Sequence, residues 1–242
     1  MLLSLSASAV HTAMASEALL SLLQFADGLF PAGGFAHSMG LETYARTETI
    51  AGPDEVKALV EVQLECVVAP ADAVAMVLAL KGAQRCELGA VFELDQILDA
   101  TKSVAALRNA SRQMGRQTAR VAAALTEDSR LVEFYRCSQS ERTPGHHAVA
   151  FGLAGSAMGW DAQAAICAYL YGAAALMVSA AVKLVPLGQL AGQRILWALA
   201  PLIARLALQV EGKSVDDMWT FAPALEVAAM RHSEMEAKLF RS

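Results

Sequence analysis

Aromatic residues make up only 6% of this chain and charged residues only 18%, against roughly 25% charged in an average soluble domain. With hydrophobic residues at 55%, that balance excludes intrinsic disorder, which needs low hydrophobicity and high net charge. Basic charge is not in excess either: 19 Lys and Arg stand against 24 Asp and Glu, a formal net charge of −5. Nucleic-acid binders carry a basic surplus, so no nucleic-acid partner is expected. Cysteine is scarce. Cys66, Cys86, Cys137 and Cys167 form no C-x-x-C pair and match no zinc spacing. Four scattered thiols in apolar stretches read as buried core residues of a cytoplasmic protein.

Catalytic signatures are missing as well. Gly212-Lys213-Ser214 looks like the end of a phosphate loop, but the loop needs a glycine five positions earlier, where Ala207 stands. Gly33, Gly34 and Gly40 lie in no βαβ unit, so they are not a dinucleotide fingerprint. There is no G-x-S-x-G elbow and no H-E-x-x-H pair. His146 and His147 are adjacent, and adjacent residues diverge by about 100° on a helix, so they cannot share one ion. No metal site and no cofactor are expected.

One uncharged run is long enough to need a membrane test. Ala162 to Val182 spans 21 residues without a charge. Nine of them are Ala, and Gln163, Tyr169, Tyr171, Gly172 and Ser179 dilute the rest. No Lys or Arg cluster marks a cytoplasmic end. A buried central helix is the expectation, with no membrane span.

Alanine is roughly a fifth of the chain, and it is the best helix former. The apolar periodicity is helical, with no alternating strand signal, so the fold class is all-α. A chain of 242 residues can bury one core, and a single-domain bundle of about ten helices is expected over 16–242. Residues 1–15 read as a flexible leader, with Ser16 capping the first helix to Ala26. Pro53 opens a helix over Asp54–Val68, and Pro70 opens the next. Further helices are expected over Phe92–Ala100, Lys102–Leu125, Ser129–Cys137, His147–Met158, Ala162–Leu184 and Gly188–Leu208. Pro201 is expected to kink or divide the last of these. The polar stretch Gln139–Gly145 is a loop and the best candidate for a domain boundary. Ser214 with Asp217 resembles a capping box for Val215–Thr220, and Pro223 starts a terminal helix running toward Phe240.

Three segments stand out from this bland background. The first is Phe30 to Glu42, with Gly33, Gly34, Phe35, His37, Ser38 and Gly40. Two glycines free the backbone for positive φ or close contact, and Phe30 and Phe35 can anchor the loop. The segment reads either as a stiff connector or as a contact surface. The second is Arg108, Arg112, Arg116 and Arg120, a slanting basic stripe on one helix. It is either offset internally by Asp95, Asp99, Glu127 and Glu133, or it docks an acidic partner. The third is the tail from Met230 to Ser242, with His232, Leu239, Phe240 and Arg241. An apolar pair that close to the end of this sequence must pack on its own bundle or across an interface.

These segments carry a family resemblance. Leu22-Leu23-Gln24 through Pro31, Gly33-Gly34-Phe35, His37-Ser38 and Gly40-Leu41-Glu42 match in order. So do Ser111-Arg112, Gly115-Arg116, His146, Phe151-Gly152, Pro186-Leu187-Gly188-Gln189, Met230, His232 and Leu239-Phe240-Arg241-Ser242. The sequence resembles the UreF family of urease accessory proteins from near residue 20 to its end. Ser233 stands where the family often has an acid, and Lys238 where it usually has Arg. The resemblance implies a cytoplasmic, all-α, dimeric scaffold with no catalysis of its own. It implies bridging of UreD (also called UreH) and the GTPase UreG in the complex that loads nickel into the urease apoprotein. The implied partner-binding residues are Gly33, Gly34, Phe35, His37, Ser38, Glu42, Arg112, Arg116, His232, Leu239, Phe240 and Arg241. A small-molecule enzyme working in an all-α pocket, with His37 and Glu42, is the other reading.

Overall fold

Helices faced with alanine and glycine approach one another closely, and the centre of this molecule is built that way. Helix α4 (Val74–Gln84) and helix α8 (His147–Ala157) touch through Gly152. A Cβ at Gly152 would collide with the Met76 carbonyl oxygen and stand 3.0 Å from the Leu80 nitrogen. Every residue from Ala148 to Gly155 is buried, so α8 is apolar all round and central. It is covered by α4 on one side and α6 (Ala105–Thr126) on another.

The computed structural model describes residues 7–47 and 49–241, with side chains from residue 15 onward. Among these the fold is all-α, with ten helices and no strand when Pro53–Gln84 is counted as one rod. Around the central trio lie α1 (Ala7–Ala26), α2 (Leu41–Arg46), α5 (Leu88–Thr101), α7 (Ser129–Gln139), α9 (Ala162–Leu184), α10 (Gln189–Val210) and α11 (Pro223–Glu234). Asp128 caps α7 through the Arg130 amide at 2.9 Å, and Asp161 caps α9 through the Ala164 amide at 2.9 Å. These caps fix the starts that periodicity predicts at Ser129 and Ala162.

The structure corrects several expectations. Helix α1 begins at Ala7, ahead of the expected Ser16 cap, and the first six residues of the expected leader lie outside the described residues. Pro70 opens no helix. It sits inside a π-helical segment, Leu64–Ala73, that joins α3 (Pro53–Gln63) to α4. Proline gives the Cys66 carbonyl no donor, and the wider π turn relieves its ring clash. The amide of Phe221 donates to that carbonyl at 3.0 Å, and the amide of Trp219 to the Pro70 carbonyl at 3.3 Å. Tertiary donors thus complete a helix that local propensity would break. Pro201 likewise interrupts nothing: α10 is continuous, and Pro201 faces solvent. Water can therefore satisfy the Trp197 carbonyl that loses its donor.

The expected boundary at Gln139–Gly145 is no boundary, because Asp95 of α5 pins it. Thr143 Oγ1 and the Gly145 amide each donate to Asp95 Oδ2 at 2.6 Å. The Ser214–Asp217 capping box forms, but around one 3₁₀ turn, Val215–Asp217. Of the four thiols only Cys137 is buried; Cys66 and Cys167 are half-buried and Cys86 is exposed.

Pro53–Gln84, α9 and α10 are each long and apolar enough to cross a membrane by length and composition. The first has 78% of its most apolar window buried in the bundle, but α9 has 44% and α10 only 39%. The expected central helix Ala162–Leu184 is therefore a flank, and α8 holds the centre. Open apolar surface remains on α1 at Leu19, Leu20 and Leu23, and on α10 at Leu190, Trp197 and Leu208.

The close α4–α8 contact is testable. Gly152→Ala forces two backbones apart, and overpacking of this kind costs about 1–3 kcal/mol. At roughly 2–4 °C per kcal/mol for a chain of this size, the melting temperature should fall by about 2–12 °C. Gly172→Ala is the control, because no atom lies within 4 Å of the added Cβ. It should melt at or above wild type, since alanine is the better helix former. Circular dichroism melts of the two variants check this, and a Gly152→Ala chain as stable as wild type contradicts the contact.

Candidate functional site

The Phe30–Glu42 segment and the C-terminal tail meet in one place. Gly33 takes φ +86°, and Gly34 is buried where a Cβ would press on the Leu176 side chain at 2.9 Å. Gly40, at φ +85°, lets the start of α2 lie against α11: a Cβ there would be 3.0 Å from the Ala229 amide nitrogen. Thr43 Oγ1 reinforces the contact by donating to the Ala228 carbonyl at 2.8 Å. This packing sets Glu42, in the first turn of α2, beside His232, in the last turn of α11.

Glu42 is the centre of the arrangement. Its side chain is 2% exposed and that of His232 is 1% exposed. His232 Nε2 lies 2.8 Å from Glu42 Oε2. The Leu239 amide donates to Oε1 at 2.8 Å and the Phe240 amide to Oε2 at 3.1 Å. Burial pushes the Glu42 carboxyl up, but the Leu239 amide, His232 and the Phe240 amide outweigh it and hold the group below the ordinary carboxylate value. The tail is tied down twice more. Arg46 donates to the Ala237 carbonyl, and the Arg241 amide donates to the Ala36 carbonyl at 2.7 Å. His37 is buried close by, and burial together with the Arg241 charge lowers its pKa.

The tail is consequently not a helix. Helix α11 ends at Glu234, and the chain runs on as an irregular strap to Arg241. Phe240 is buried at 6% exposure, while Leu239 is 64% exposed. Only one of the apolar pair packs on its own bundle. Phe35, expected as a loop anchor, is 43% exposed, and Phe30 alone is buried.

The arginine stripe does not act as one surface. Arg112 makes a two-pronged contact with Asp99 at 2.8 and 2.7 Å. Arg108 donates to the Lys102 carbonyl at 2.7 Å and Arg120 to Gln117 at 2.9 Å. Arg116 has a buried Nε with no hydrogen-bond partner among the described residues. Glu133 turns to Arg136 and Arg142, so of the expected internal counter-charges only Asp99 forms an ion pair with the stripe. Arg112 belongs instead to a chain that sequence spacing did not reveal. Ser111 Oγ lies 3.0 Å from His146 Nδ1, and His146 Nε2 lies 2.9 Å from Asp99 Oδ1. Burial lowers the His146 pKa despite nearby Asp95 and Asp99. Its neighbour His147 faces another way, 3.1 Å from Thr118 Oγ1, and burial pushes its pKa down to about 4. The sequence signals for this node are Ser111-Arg112 and His146 among the family-like residues and Asp95 with Asp99 at helical spacing, and none of them shows that these side chains meet.

Among the described residues no three His, Cys, Asp or Glu side chains are grouped to hold a metal ion. Glu42 is sealed under the tail with its oxygens engaged, which removes the base of the His37–Glu42 enzyme reading.

The geometry of Glu42 fixes a mutational outcome. Glu42→Ala strands His232 and two amides, and breaking a buried pair costs about 3–5 kcal/mol. Denaturant unfolding should show that loss, and hydrogen exchange at the Leu239 and Phe240 amides should quicken. A pH dependence follows with a definite sign. The folded value lies below the ordinary one, so the stabilisation is present at neutral pH and is lost as pH falls through the lowered value, below about 4.5. Slow exchange of both amides in Glu42→Ala would show that the carboxylate does not hold the tail.

Comparison with known proteins bears on this site. The UreF family model matches residues 50–200. A urease accessory protein UreF of Bacillus sp. (strain TB-90) is 31% identical over 224 residues, 93% of this chain and 99% of that protein. The urease accessory protein UreF of Trichodesmium erythraeum (strain IMS101) is 31% identical over 221 residues, covering 91% of this chain and 95% of its own length. That of Nostoc sp. (strain PCC 7120 / SAG 25.82 / UTEX 2576) is 30% identical over 231 residues, 96% of this chain and 99% of the relative. With a family model matched over more than half of its length and relatives of about 30% identity aligned over nearly all of it, the chain belongs to the UreF family of urease accessory proteins, which are not catalytic enzymes.

Proposed function

We propose that this chain is a cytoplasmic, homodimeric scaffold that bridges UreD (UreH) and the GTPase UreG and supports nickel insertion into the urease apoprotein. A role in urease maturation follows from the family. The bridging role is supported chiefly by the tail. Its backbone is held by Glu42 and Ala36, yet Leu239 is 64% exposed, so an apolar side chain is presented from an ordered base. A prepositioned contact loses less conformational entropy on binding than a free tail does. Gly33, Phe35 and Arg241 are exposed with Leu239 in the proposed docking region, which the buried Gly34, His37, Ser38, Glu42, His232 and Phe240 support from beneath, with Arg112 and Arg116 as a second contact. The open apolar faces of α1 and α10 support self-association, because patches of this kind mark interaction surfaces.

The test is a paired pull-down. Deleting Lys238–Ser242 should abolish capture of UreG while UreD capture and helix content persist. Equal UreG capture by both chains removes the tail from the interface, and joint loss of both partners and of helicity makes it part of the core. The isolated chain should neither bind nor hydrolyse GTP, because Ala207 stands where a phosphate loop needs glycine. Stoichiometric GTP binding by the purified protein would contradict that account.

A further inference from the structure

A cavity of about 450 Å³ lies between the end of α1, the glycine-bearing loop, α9 and α10. That is within the range of roughly 300–1,000 Å³ typical of small-molecule sites. Its walls are mostly apolar, with Val68, Ala168, Ala173 and Leu176 among them, and Asp27 and His147 are ionisable members of the lining. The two ends differ. At the inner end Asp72 and Lys102 form an ion pair at 2.8 Å, with side chains 9% and 12% exposed. That pair neutralises itself. At the outer end Lys183 is exposed, and its ammonium stands 5.6 Å from the ring centres of both Phe35 and Phe240. The rings orient the ammonium but supply no counter-charge, and no described carboxylate is within ion-pair distance of it.

An apolar chamber with an oriented lysine at its mouth, paired with no carboxylate among the described residues, has a definite chemical complement. We propose that this cavity is a binding site for a small amphipathic carboxylate, of the medium-chain fatty acid class. The carboxylate pairs with Lys183 between the two rings, and the hydrocarbon body lies along the small side chains of α9 toward the Asp72–Lys102 pair. A second copy of this chain is a poorer occupant, because it would have to deliver a narrow apolar group and an anion through the same mouth. The site shares Phe35 and Phe240 with the proposed docking region, but it needs none of the scaffold's partners to take up its ligand.

Octanoate, titrated calorimetrically into the full-length chain, is the probe, with octanol as its uncharged counterpart. One equivalent should bind per chain with a dissociation constant on the order of 10–100 μM. Lys183→Gln, on the surface, should weaken octanoate about tenfold and leave octanol unchanged, since only the charge-assisted contact is lost. Gly172→Phe should abolish binding of both. Gly172 lines the cavity and no atom lies within 4 Å of an added Cβ, so the backbone admits the larger residue, and an unchanged melting temperature verifies the fold. Absence of saturable binding up to about 1 mM overturns the proposal, as that is weaker than any specific fit here. So does binding of several equivalents that ignores both substitutions, which is adsorption to the apolar faces of α1 and α10. Octanoate affinity unaltered in Gly172→Phe overturns it as well.

Discussion

A carboxylate taken out of water keeps its charge only if the protein supplies the hydrogen bonds that water gave it. Glu42 meets that condition with donors from the other end of the chain: His232, the Leu239 amide and the Phe240 amide. The debt is mutual, because the two amides belong to an irregular segment with no helix to satisfy them. The ion therefore cannot be buried without the tail, and the tail cannot lie down without the ion. Everything around the site follows from that coupling. Helix α2 must start at Gly40 to reach α11, α11 must stop at Glu234 so the strap can turn back, and Arg241 then meets the loop at Ala36.

Elsewhere the same logic gives directional order to a core that is poor in shape. Alanine faces interlock weakly, since a methyl group offers little relief for a neighbour to grip. Buried polar nodes have fixed partners and fixed geometry. Asp95 takes the Thr143 hydroxyl and the Gly145 and His146 amides, and so fixes where α8 begins. Asp99 takes Arg112 of α6 and His146 together. Lys102 and Asp72 join the end of α5 to the π-helical segment. Gly115 completes the scheme: a Cβ there would collide with the Gly145 carbonyl, so α6 and the loop before α8 sit backbone to backbone.

This division explains what could be read from the sequence. Helix positions were legible because apolar spacing and caps are local: Ala162–Leu184 was placed to the residue, and α7 and α8 within two. Pro70 was misread because its cost is met from residues 219–221, a contact at a sequence distance of about 150 that no local rule contains. The tail was recognised as a segment that must pack, but its conformation was not, since the partner that holds it is a single glutamate nearly 200 residues away. Glu42 itself was legible only by resemblance. On composition and spacing it is one acid in the first turn of a short helix, where acids are ordinary. Ser111 and His146 were likewise legible only by resemblance, and their link to Asp99 was not legible at all. The three residues come from three elements, and no spacing joins them.

The exposed residues complete the argument about what the molecule is for. A chain with 18% charge cannot cover its helices with polar side chains, and the shortfall is not spread evenly. The rod Pro53–Gln84 is well buried, while α9 and α10 leave more than half of their most apolar windows open. Trp197 is 85% exposed and Leu208 is 68% exposed, both on the outer side of α10. An enzyme that works alone gathers its apolar surface inward, around a pocket that holds its reactive groups. Here Glu42 with His232, Asp99 with Arg112 and His146, and Asp72 with Lys102 are engaged with one another, and much apolar surface of α1 and α10 faces outward. The chemistry is spent on holding helices and tail in register, and the surface is left for contact. That is the physical profile of an accessory protein: order inside, and unfinished interfaces outside.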